Sequence, residues 1–150
     1  MESIHPLLVH FPIALLIASF GFECLAVFFH IEACRITARG CLLAGALGAG
    51  AAVLSGLQAE DVAKHTFEIH QVMQLHKQLG ISVLIASALL SGGYLLTFRR
   101  NLSFYHPLHL LHLLALSAVV VALAFGAYLG GRLVYEFDVG KKITTSVNRY

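Results

Sequence analysis

Nine histidines stand in a chain of 150 residues in which 58% are hydrophobic and only 12% are charged. Neutral imidazole ligates haem iron, zinc and copper, and it exchanges protons near neutral pH. The histidines gather where apolar runs begin or end. His5 and His10 lie near the N-terminus, and His65, His70 and His76 precede a run that opens at Leu79. His106, His109 and His112 open the last run, and His30 stands alone in a polar joint. An ionisable side chain in or beside hydrocarbon is costly, so each is a candidate for function. The competing reading is a histidine that only anchors a helix end at the interface.

Depth and face narrow the choice. His10 immediately precedes the stretch from Phe11, and His76 sits one turn before Leu79, on the same side of the chain's path. On a helical period His10 shares a face with Ala14, Ala18 and Gly21, and His76 with Met73, Gly80, Val83 and Ser87. His70 aligns instead with Gln74 and Lys77 on a polar face, and His5, five positions from His10, points elsewhere. Two imidazoles from different helices, at matched depth above small residues, suit bis-histidine ligation of a haem iron inside a bundle. The expected ligands are His10 and His76, with His5 as a supporting or alternative ligand and Arg132, Tyr135 and Lys77 placed to hold propionates. No CxxCH occurs, so such a haem is b-type and non-covalent.

The same histidines, His5, His10, His70 and His76, could instead bind copper or zinc. The chain has no Met-rich or Cys-rich stretch and no carboxylate cluster, which argues against this. Cys24, Cys34 and Cys41 follow no CxxC spacing and signal neither a disulfide framework nor a zinc cage. A third reading is a structural or assembly subunit with no cofactor. No nucleophile–base arrangement is visible, so a redox carrier subunit fits better than a stand-alone enzyme. Glu23, about two turns from the end of the first run, needs a partner, and His112, about two turns into the fourth, is the expected one.

Helices must position these residues. A mean hydropathy of +0.80 and the low charge exclude an ordinary soluble domain. Apolar runs at about residues 7–29, 41–57, 79–98 and 108–129 are each long enough to cross a bilayer. Only a helix satisfies its backbone in lipid without closing a barrel, and these runs lack strand alternation. No signal-type cleavage site follows the first run, which reads as a retained span. Short joints at 30–39 and 99–105 force antiparallel neighbours, so the expectation is an all-α, up-down-up-down membrane bundle filling the chain as one domain. The longer joint at 58–77 continues the third helix outward. The tail from Arg132 lies along the surface, with a turn at Gly140-Lys141-Lys142.

Gly and Ala crowd the second run, and Gly126 and Gly130 form a GxxxG pair in the fourth. These small residues allow close helix packing, room for a bulky ligand, or a homodimer. Let side A carry the N-terminus, the 58–77 joint and the tail, and side B the two short joints. Arg35, Arg39, Arg99 and Arg100 in those joints make side B cytoplasmic by the positive-inside rule. A net charge of +2, scattered along the chain, points away from nucleic acid.

Three segments resemble one bacterial membrane family, the domain of unknown function 2231. His5-Pro6-Leu7-Leu8-Val9-His10-Phe11-Pro12-Ile13-Ala14-Leu15 resembles its opening signature. His76-Lys77-Gln78-Leu79-Gly80 is similar to its central element, and Gly126-Ala127-Tyr128-Leu129-Gly130-Gly131-Arg132-Leu133-Val134-Tyr135-Glu136 to its closing motif. Phe137-Asp138-Val139-Gly140 departs from the His-Gly-Val-Gly expected next. The resemblance implies a small four-helix protein of the bacterial inner membrane, with relatives joined to c-type cytochrome or Rieske domains. It thereby implies redox work at the outer face, in agreement with the orientation read from the short joints, which puts His5, His10 and His76 on the periplasmic side. On the haem reading the membrane donor would be quinol.

Overall fold

The computed structural model describes residues 5–60, 67–97 and 107–137. Four helices follow in order: α1 (His5–Phe29), α2 (Glu32–Glu60), α3 (Phe67–Thr97) and α4 (Pro107–Tyr135). Each is long and apolar enough to cross a membrane. The helices outrun the apolar runs. α2 begins at Glu32, so most of the expected 30–39 joint is helical, and α3 begins at Phe67, inside the expected 58–77 joint. Intrahelical hydrogen bonding does not stop where hydrophobicity does, and polar turns at a membrane surface remain good helix formers. His65, His106, Arg99, Arg100 and the Gly140-Lys141-Lys142 turn lie outside the described residues.

Only His30 and Ile31 separate α1 from α2, and His30 turns the chain with a left-handed φ of 57°. A connection this short requires antiparallel neighbours. α1 packs on α2 and α4, and α3 on the same two helices, whereas α1 and α3 face each other across the bundle axis without direct backbone packing. The result is a four-membered ring of antiparallel helices, the expected all-α bundle.

Small residues set the α1–α2 contact. A Cβ at Gly45 would stand 2.8 Å from Leu16 Cδ2, and one at Gly48 would stand 3.3 Å from the Pro12 ring. Any side chain there would push the helices apart, so glycine fixes their spacing. Ser19 Oγ donates to the Ala38 carbonyl at 2.8 Å inside this contact. Mid-bundle, Leu16, Leu42, Val83, Leu116 and Val119 close into one buried apolar cluster. Large apolar side chains such as Phe11, Leu47, Leu89, Leu114 and Val121 point outward. Outward-facing leucines on every helix suit a hydrocarbon solvent, and in water they would form an untenable apolar surface.

Candidate functional site

Polar side chains gather in two groups, one toward each end of the bundle, with the apolar cluster between them. At side A, α1 supplies His5 and α3 supplies His76, from the two helices that do not pack on each other. Their rings meet across the axis, with centroids 6.3 Å apart and planes at 85°. Each imidazole is held from behind. His76 Nδ1 donates to the Gly126 carbonyl of α4 at 2.9 Å. His5 Nδ1 lies 2.9 Å from Ser55 Oγ of α2, and that hydroxyl spends its own proton on the Ala52 carbonyl at 2.9 Å. Ser55 therefore accepts from His5. In both rings Nδ1 faces an oxygen of a neighbouring helix.

Glycine makes room for each ring. A Cβ on Gly56 would stand 3.0 Å from His5 Cε1, and one on Gly130 would stand 3.1 Å from His76 Cε1. The GxxxG pair of α4 thus seats an imidazole: Gly126 gives the carbonyl and Gly130 the gap. All four helices build the side-A group, two contributing rings and two contributing their supports.

This corrects the expected pairing of His10 with His76. His10 is exposed, and its Nδ1 turns back to the Pro6 carbonyl at 2.6 Å on its own helix. Its face, with Ala14 and Gly21, looks outward. The buried face of α1 carries Pro12, Leu16, Ser19 and Glu23. The sequence held a signal for this. Glu23 must face inward, and His5 lies eighteen residues before it, five full turns at 3.6 residues per turn, so the two point the same way. Of the expected propionate holders, Arg132 and Tyr135 stand at the side-A end of α4. Arg132 donates from Nε to Glu136 at 2.7 Å with its guanidinium over the Phe137 ring, and Tyr135 is 81% exposed. His70 is exposed, as its polar face predicts.

At side B a second group gathers charge. Glu23 of α1 is fully buried, and its Oε1 lies 3.0 Å from His109 Nε2 of α4. The expected partner was His112. Three residues on and about 60° round the helix, His112 turns to α3 and packs on Tyr94, ring centroids 3.9 Å apart. α4 lies between α1 and α3, so its two histidines serve different neighbours. From α2, the Arg39 guanidinium sits 4.9 Å from the Tyr94 ring centre, and Arg35 pairs with Glu32 at the surface. The Tyr94 hydroxyl and both arginine charges act on the Glu23 carboxylate.

Among the described residues, no group of three or more His, Cys, Asp or Glu side chains could hold a metal ion. Four apolar helices enclosing two polar groups define an integral membrane protein. The chain belongs to the family described as "predicted membrane protein (DUF2231)", whose profile matches residues 1–142. Nothing among curated proteins or solved structures matches it.

Proposed function

We propose that the protein is a haem b-binding electron-transfer subunit, whose haem would be held by His5 and His76 at the side-A end. The observation that carries this reading is the meeting of two histidine rings from helices that do not pack on each other, with centroids 6.3 Å apart and planes at 85°. Ligand number agrees. Zinc needs three or four protein ligands, whereas two imidazoles are what a porphyrin-held iron requires. Both Nδ1 atoms are engaged with backbone or hydroxyl oxygen, the outer support usual for ligating histidines.

Bound there, a haem would supply one-electron chemistry. The chain's own residues hold and orient the ligands: Ser55 and Gly126 fix the rings, Gly56 and Gly130 leave them space, and the apolar cluster shields them from side B. By analogy with the family's fusions, the electron partner is a periplasmic c-type cytochrome or Rieske protein, with quinol as donor and both termini periplasmic.

The test is a reduced-minus-oxidised absorption spectrum of the detergent-purified protein beside three variants. A b-type spectrum is expected in the wild type and in His10→Ala, and it should be lost in His5→Ala and His76→Ala. A colourless wild type from haem-replete cells, or a spectrum that survives without His5, would overturn the assignment.

A further inference from the structure

We infer that the side-B group is a proton-binding site whose proton is held by the Glu23–His109 pair. The inference does not depend on the haem assignment, since the two groups share no residue. Glu23 is completely buried, and each of the other three helices sets a polar group near it: His109 from α4, Tyr94 from α3, Arg35 and Arg39 from α2, with Glu32 acting from the surface and His112 packed behind on Tyr94. Cys24 is its neighbour on α1. A site that needed only filling would hold leucine, as the interior does two turns away at Leu16. Buried ionic groups add little stability over apolar ones of like size, so their retention inside a membrane points to use.

Charge and contact indicate what that use is. Glu32 and Arg35 neutralise each other at the mouth, and Arg39, stacked on the Tyr94 ring, adds a positive charge that acts on Glu23. The histidines and Tyr94 then add proton acceptors and donors without adding fixed charge. With Nε2 and Oε1 3.0 Å apart, the pair can gain a proton as imidazolium–carboxylate or as imidazole–carboxylic acid. The two atoms are within reach but not aligned as a hydrogen bond, and a small rotation of the His109 ring would complete the pair when the proton arrives. A hydronium at the surface gives up its proton to form one N–H or O–H bond and leaves as water; release reverses this. The outermost members face side B, where Glu32 is half-exposed and His109 lies in the first turn of α4. Toward side A lie the buried apolar residues Leu16, Leu42, Val83, Leu116 and Val119, packed together with Tyr94. Side B is therefore the nearer source of the proton.

The experiment is infrared difference spectroscopy of the full chain in phosphatidylcholine–phosphatidylglycerol vesicles across a pH series, in light and heavy water. Acidification should produce a change in the carboxyl and imidazole regions that is lost in Glu23→Gln, shifted in His109→Gln and unmoved in Glu32→Gln. Superimposable spectra of folded Glu23→Gln and wild type would overturn the proposal. If Glu23→Gln does not fold, Tyr94→Phe takes its place. That variant keeps the ring against His112 and must shift the same feature. A feature unmoved in both His109→Gln and Tyr94→Phe overturns the proposal equally.

Discussion

The two ends of the bundle solve the same problem, polar side chains among apolar helices, by different means. At side A the polar groups are imidazoles, each within hydrogen-bond distance of an oxygen on a neighbouring helix and seated against a glycine. At side B a buried carboxyl group lies beside His109 among arginines and the Tyr94 ring. A neutral ring needs only one partner and a space of the right shape, so glycines decide its position. A buried carboxylate needs compensation from several directions, so all four helices must deliver a polar group. On the proposed readings, the first arrangement would receive a ligand and the second a proton.

If this contrast is right, the largest effect on stability comes from side B. His109→Ala strands a buried carboxylate and should cost about 3 kcal/mol, read as a fall in the unfolding midpoint in mild detergent. Replacing Glu23 and His109 together by leucine should recover most of that loss. An unchanged midpoint in Glu23→Ala would erase the distinction between the ends. The next effect belongs to side A and concerns ligand rather than stability. Gly130→Val drives a side chain into His76 and should weaken haem retention by about 10- to 100-fold, in the range for lost outer support. The same substitution at Gly131, which has nothing within 4 Å of its Cβ position, should leave the bound fraction unchanged.

Ser55→Ala tests the finer claim that His5 is oriented by a hydroxyl. Haem affinity should fall about tenfold, while stability changes by about 1 kcal/mol, the worth of one hydrogen bond. A haem titration beside an unfolding curve separates the two. Smallest of all is His10→Ala, expected within about 0.5 kcal/mol of wild type and with an unaltered spectrum, because His10 looks outward and bonds its own helix. A large loss there would return His10 to the site and remove His5 from it.

Much of this was legible in the residues. Apolar runs of bilayer length admit only helices, and short joints admit only antiparallel neighbours, so the four-helix membrane bundle follows from hydropathy and chain length. The inward face of α3 was legible too, since Met73, Val83 and Ser87, which share it with His76, are buried as their spacing implies. His10 misled because matched depth was weighed above rotation. The small residues under it, Ala14 and Gly21, lie on the outward face, and smallness alone does not reveal which way a face turns. Referring α1 to Glu23 would have corrected this from sequence, because a carboxylate in hydrocarbon has only one tolerable direction.

Partners were another matter. Nothing in the spacing of His109 and His112 says which of them meets Glu23, or that Tyr94 takes the other. Nor does the GxxxG pair announce that it receives an imidazole from α3. Periodicity fixes where a side chain points relative to its own helix. Which neighbour stands in that direction, and at what height, depends on how each helix is rotated and slid against the next. That is set by the sum of contacts such as Gly45 on Leu16 and Gly48 on Pro12. The sequence alone therefore determined the helices, the membrane and the set of polar residues to be housed there. Tertiary packing alone decided that His5 meets His76 and Glu23 meets His109, because pairing is a property of the relative placement of helices, which no single helix carries.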